Sequence, residues 1–117
     1  MVTRDVSDAA ADRVFGALAD TTRRDILRRA IADEQSISAL AERYAMSFPA
    51  VHKHVGVLER ADLITKHRRG KEQLVRANLQ TVRAASRLLD RYEQLWRARA
   101  DRIDELLTTL TPAKEGR

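Results

Sequence analysis

The residues best suited to chemistry in this chain are its basic side chains. His52, Lys53 and His54 stand in one run, and Lys66, Arg68, Arg69, Lys71 and Arg76 follow a short way along. From Ile64 to Arg76 there are five bases and one acid, Glu72, a local balance of +4 in a chain of net charge +5. Lysine and arginine only donate, the first as a mobile point charge and the second as a planar fork, and both fit phosphate oxygens. Such a cluster suits a polyanion whose counterions are released on binding. It does not suit bond breaking. The sequence has no Gly-rich phosphate loop, no GxSxG and no HExxH, and its carboxylates are dispersed among arginines. His52 and His54 are two apart, so on a helix they point in different directions and make no metal pair. With no cysteine in 117 residues, disulfides, thiol redox chemistry, a Cys nucleophile and Cys-based zinc sites are excluded. No catalytic set, cofactor or metal is expected.

These cations need a scaffold, and the sequence describes a mainly helical one. Ser7 is a suitable N-cap for a first helix with Ala10, Val14, Phe15 and Leu18 on one face. Asp20 opens a second, TTRRDILRRAI, whose Ile26, Leu27 and Ala30 turn inward. Asp33, Glu34 and Gln35 form a polar break. Ser38 is expected to cap a short helix, ALAERY, and Ala45-Met46 to form a tight turn. Ser47 caps the next helix, with Pro49 in its first turn, where a missing N–H costs little. Ala50, Val51, His54, Val55 and Leu58 form its inward stripe, leaving Phe48, Pro49, His52, Lys53 and Gly56 outside. Beyond Asp62 the period becomes that of strands, over 63–67 and 72–76, with Arg68, Arg69, Gly70 and Lys71 turning between them. Residues 79–110 contain neither Gly nor Pro and predict one long helix, or two with a soft joint.

The expected organisation is one domain over 7–110 between polar tails, 1–6 and 111–117. The acidic start MVTRDVSDAAADR is unlike a signal peptide, and no apolar run approaches the roughly 20 residues that span a bilayer. A soluble, cytoplasmic protein with no membrane partner is expected.

Three helices followed by a two-stranded hairpin is the winged helix-turn-helix plan, with the tight unit at about 37–59. In such units the second helix enters the DNA major groove, led by its N-terminal residues. Double-stranded DNA is therefore the expected partner. The candidate contacts are Ser47, Phe48, Pro49, His52, Lys53 and His54 on that helix and Arg68, Arg69 and Lys71 on the wing, where cations meet backbone or minor groove. Two side chains keep two readings. Phe48 meets a thymine methyl or packs against the wing; His54 contacts phosphate or packs as a half-buried core residue.

The last helix carries its own signal. Val82, Leu89, Trp96, Ile103 and Leu110 recur every seven residues, with Ala85, Tyr92 and Leu106 between them and Arg99 as the exception. Such a seam wants a partner helix. A homodimer is expected, with Val14, Leu89, Tyr92, Trp96, Ile103 and Leu106 at its interface; the alternative is that Tyr92 and Trp96 pack on their own domain. A two-fold dimer presents two recognition helices to half-sites roughly 34–36 Å apart.

ALADTTRRDIL, then ISALAERYAMSFPAVHKHVGVLERADLI and a basic hairpin, resembles the ArsR-type (SmtB/ArsR) bacterial repressors over about residues 10–110. The resemblance implies a homodimeric winged-helix repressor on an imperfect inverted repeat, autoregulating its own operon and releasing DNA when an effector binds. Classical metal-sensing members carry a Cys-x-Cys box where this chain has Ser36 and Ser38, and the other classical site uses His on the last helix, whereas no His follows His67. The chain therefore reads as a member without those metal sites. A small-molecule effector of unknown identity could sit between the long helices near Tyr92 and Trp96. A MarR-like regulator is the rival within DNA binding, and a winged helix used only for protein interaction is the rival outside it.

Overall fold

The computed structural model describes residues 7–110; both expected tails lie outside the described residues. Helices α1 (Asp8–Ala17) and α2 (Thr21–Ala32) lead through β1 (Gln35–Ser36) to α3 (Ile37–Ala41) and α4 (Phe48–Arg60). The hairpin β2 (Ile64–Arg69) and β3 (Glu72–Ala77) follows, then α5 (Leu79–Leu110). The chain divides into two units, one ending at Ala85 and one beginning at Ser86, so α5 belongs to both.

Helix starts in the first unit are set by local chemistry. Ser7, Asp20, Ser36 and Ser47 each take extended backbone and accept from the N–H three residues on, at 3.1, 2.9, 3.0 and 3.2 Å. Each cap satisfies one orphan donor and is worth about 1 kcal/mol. The cap of α3 is thus Ser36, not Ser38. Ser36 also ends a strand, so its backbone is already extended where the helix begins. α4 stops at Asp62, a non-glycine residue at φ 61. There Leu63 N–H reaches the Leu58 carbonyl at 3.0 Å, a Schellman closure.

The sheet has three antiparallel strands in the order β1-β3-β2. β1 pairs Gln35 with Val75 and Ser36 with Leu74, where a polar break was expected. β2 and β3 run longer than expected, pairing from Ile64↔Ala77 to Arg69↔Glu72. Arg68 and Arg69 are therefore strand residues, and the turn is Gly70-Lys71 alone. Gly70 has φ 61, as the first position of a type II′ hairpin turn requires.

The core joins Val14, Ile26, Ile37, Leu40, Val51, Val55, Leu58, Leu63, Ile64 and Val75, none more than 2% exposed. One expectation is corrected here. Val14, assigned to the dimer interface, is 2% exposed and packed within its own unit. The helical period identified an apolar position but not what covers it. Phe15, from the same expected face, is exposed, and Ala17 is buried instead. The second unit is the continuation of α5, along which Leu89, Tyr92, Leu95, Trp96, Ile103, Leu106, Leu107 and Leu110 are exposed.

Candidate nucleic-acid interface

α3, the turn at 42–47 and α4 form the helix-turn-helix. Val51, Val55 and Leu58 anchor α4 in the core at helical spacing, which leaves Phe48, Pro49, His52 and Lys53 exposed at its N-terminal end. Ser47 Oγ is used by the Ala50 N–H at 3.2 Å. The rings of Phe48 and His52, one turn apart, are tilted by 49° with centroids 5.8 Å apart. Phe48 is about half exposed, an apolar face held beside a polar one at the leading edge of the helix.

His54 is placed differently from His52. It is half-buried, with Nδ1 3.2 Å from Arg23 Nη1 and 3.9 Å from Asp20 Oδ2. A guanidinium nitrogen can only donate, so a hydrogen bond here needs Nδ1 as the acceptor. The Nδ1 edge ties α4 to α2 and does not share the outer face with His52 and Lys53.

The stretch ALADTTRRDIL acquires a physical role at the same place. Arg23 Nε donates to the Ala17 carbonyl at 2.7 Å, Arg23 Nη2 to Gly16 at 3.3 Å, and Arg24 Nη1 to Leu18 at 2.7 Å. α1 has no base in its own last turn. Two arginines from α2 serve instead, hydrogen-bonding carbonyls at the negative end of the helix. Hydrogen bonding by the Arg23 N–H and its guanidinium charge hold the Asp20 carboxyl below the usual range.

A second polar link crosses from α2 to the turn after α3. Asp25 accepts from the Tyr44 hydroxyl at 2.6 Å and from Arg29 Nε at 2.8 Å, and pairs with Arg28. These donors, Tyr44 first, hold the Asp25 carboxyl well below the usual carboxylate range.

The wing cations divide into two sets. Lys66 pairs with Glu59 of α4 at 3.2 Å. Glu34, on the α2–β1 connection, gathers Arg76 at 2.8 Å, Arg69 at 3.2 Å and His67 at 3.0 Å. The His67 approach has ion-pair distance but not hydrogen-bond alignment, since Nε2 is enclosed and makes no hydrogen bond among the described residues. The Arg76 hydrogen bond, then the charge of Arg69, lowers the Glu34 pKa. Arg68 and Lys71 are exposed and form no ion pair among the described residues. Sequence reasoning placed Arg68, Arg69 and Lys71 together. The structure gives Arg69 an internal partner, and Glu34, read only as part of a break, is the residue that was missed.

Ser36, at a position compared with the Cys-x-Cys box, spends its hydroxyl on the Ala39 N–H. Among the described residues no three His, Asp or Glu side chains gather as a metal site. No described helix is long and apolar enough to cross a membrane.

Known proteins show the same pattern. A family described as a helix-turn-helix domain matches residues 18–67. The transcriptional repressor SdpR of Bacillus subtilis is 34% identical over 59 residues, 50% of this chain and 66% of that protein. The HTH-type transcriptional regulator Rv2034 of Mycobacterium tuberculosis is 33% identical over 81 residues, 69% of this chain and 76% of that protein. An ArsR-like transcriptional regulator from Rhodococcus sp. RHA1 superposes with a TM-score of 0.74 at 33% identity, covering 84% of this chain and 92% of that one.

Proposed function

We propose that this chain, which belongs to the ArsR family of winged helix-turn-helix transcriptional regulators, is a homodimeric repressor that binds an inverted-repeat operator. That it is a DNA-binding transcription regulator follows from the family. The rest is our reading. The observation that carries it is the occurrence, within one unit, of the outward turn of α4 and the exposed wing cations Arg68 and Lys71, which form no ion pair among the described residues. Phe48, Pro49, His52 and Lys53 meet base edges in the major groove, and the Ser47 hydroxyl with the Phe48 N–H at the start of that turn meets a phosphate. Arg68 and Lys71 contact backbone beside it, with Arg69 held behind them. His54 sets the angle of α4 through Arg23 and does not read bases.

The apolar residues exposed along the second unit support dimerisation. Leu89, Trp96 and Ile103 keep the seven-residue spacing on α5, Tyr92 and Leu106 lie in the interleaved positions, and all five are exposed in a single chain. An interface of that kind puts two recognition helices on one face of DNA. Repression follows from occupying a promoter, autoregulation from occupying its own, and release from an effector held near Tyr92 and Trp96. The regulators it resembles act by binding, and we read no catalytic role in this chain.

Fluorescence anisotropy tests the reading, with one duplex from upstream of the gene and one scrambled, across a salt series. Specific regulation predicts a preference of roughly a thousandfold or more for the upstream duplex. Equal, weak and steeply salt-dependent binding to both, with no other duplex preferred, would favour a protein-interaction module.

A further inference from the structure

We propose that Glu34 is a positioning residue for the wing, a carboxylate that clamps both strands of the hairpin and fixes where its tip meets DNA. The proposal rests on reading the chain as a specific DNA binder. Strand register explains the clamp. Side chains alternate across a strand, and the pairs Thr65↔Arg76, His67↔Leu74 and Arg69↔Glu72 put His67, Arg69 and Arg76 on one face. Arg68 lies on the other. Extending the β1–β3 register by one residue beyond Gln35↔Val75 sets Glu34 beside Arg76. Its Oε2 accepts from Arg76 Nε at 2.8 Å, and its Oε1 lies 3.2 Å from Arg69 Nη2.

Burial separates a clamp from a casual surface pair. The Glu34 side chain is 22% exposed, against 65% for Arg69 and 60% for Arg76. The carboxylate sits underneath and the arginines close over it. A two-stranded hairpin is marginal alone, and β1 braces only the two pairs at Gln35 and Ser36. Arg69 lies at the far end of β2 beside the turn, beyond the reach of β1, and Glu34 holds it. The same contact withdraws one face of the hairpin from DNA and leaves Arg68 and Lys71 to make the approach.

Charge alone and clamping predict opposite results, so a pair of variants tests the proposal. Duplexes are first enriched from a random-sequence library by the wild-type protein. Affinity for the enriched and a scrambled duplex is then measured for wild type, Glu34→Gln and Arg76→Gln, well below each melting temperature. Glu34→Gln raises the net charge by one and Arg76→Gln lowers it by one. If net charge governs, affinity for both duplexes rises in the first and falls in the second, with the preference unchanged. The clamp predicts that both variants lose preference for the enriched duplex by about tenfold or more. Glu34→Gln should lose it while binding the scrambled duplex at least as well as wild type. A lowered melting temperature with preference intact, or loss in Arg76→Gln alone, overturns the proposal. A library from which wild type enriches nothing overturns the DNA-binding reading, and this proposal with it.

Discussion

Arg23 Nη1 lies 3.2 Å from His54 Nδ1, and the same guanidinium donates to the Ala17 carbonyl at 2.7 Å. One side chain therefore closes the end of α1 and sets α4 against α2. Arg23→Ala removes these bonds and leaves carbonyls at the end of α1 with fewer donors, so about 1–3 kcal/mol of stability should be lost. Arg23→Lys should not restore it, because a point charge cannot reach Ala17, Gly16 and His54 at once as a fork does. Urea unfolding of the three proteins checks this. Equal stability of Arg23→Lys and wild type would mean that only the charge matters.

This relationship also marks where the sequence stops being readable. Asp20, Ser7 and Ser47 were legible as caps because a cap acts on an N–H three residues away. α5 was legible because nothing interrupts it, and the core face of α4 because Val51, Val55 and Leu58 keep one period. Glu34 was not legible, since its partner Arg76 is 42 residues along the chain. β1 was not either. A two-residue strand has no local propensity to read and exists only through β3. Ser36 and Ser38 flank Ile37 symmetrically, and the choice between them is made by the extended backbone that β1 imposes. For Val14 the period was right and the partner wrong, because the core of the same unit covers it.

Acid should weaken the link between α2 and the turn after α3. The Asp25 carboxyl is held below its ordinary value by Tyr44, Arg29 and Arg28. A depressed folded pKa contributes stability that is complete above the unfolded value and is lost as pH falls toward the folded one. Wild type should therefore lose stability steadily below about pH 4, the unfolded aspartate range. Asp25→Asn should be less stable than wild type at neutral pH, and the gap should close on acidification. Tyr44→Phe should cost about 1–2 kcal/mol near neutrality. Denaturation midpoints between pH 7 and pH 2.5 check both, and a gap independent of pH would remove Asp25 from the acid response.

The recognition helix and the wing should fail in different ways. Lys53→Ala should lower affinity for the preferred duplex about tenfold without changing the melting temperature, since Lys53 is exposed and makes no packing contribution to the core. Phe48→Ala should lower the preference more than it lowers affinity for a scrambled duplex. Arg68→Ala with Lys71→Ala should weaken binding to all sequences and reduce the salt slope by about 2, one for each phosphate no longer neutralised. Anisotropy titrations over a salt series separate these outcomes. An unchanged slope in the double variant would take the wing tip off the phosphates.

The exposed face of α5 makes the last prediction. Trp96 is 63% exposed and Leu106 61%, and isolated single chains rarely leave contiguous apolar stripes of this kind uncovered. Arg99 lies over the Trp96 ring at 5.8 Å to its centroid, which shields part of the indole and leaves the rest for a partner. Placing a carboxylate at either position in a helix–helix seam buries an unpaired charge, so Trp96→Glu and Leu106→Glu should each give monomers by sedimentation. The first unit, with the helix-turn-helix and wing, should remain folded, because its core ends at Ala85. A monomer engages one half-site, so its affinity for a two-half-site duplex should fall by a hundredfold or more, the usual scale of lost bivalency. Affinity for a single half-site should stay within about twofold of the wild-type value, near the expectation for a distant and independent site. Dimers that persist in both variants would move the interface away from the second unit.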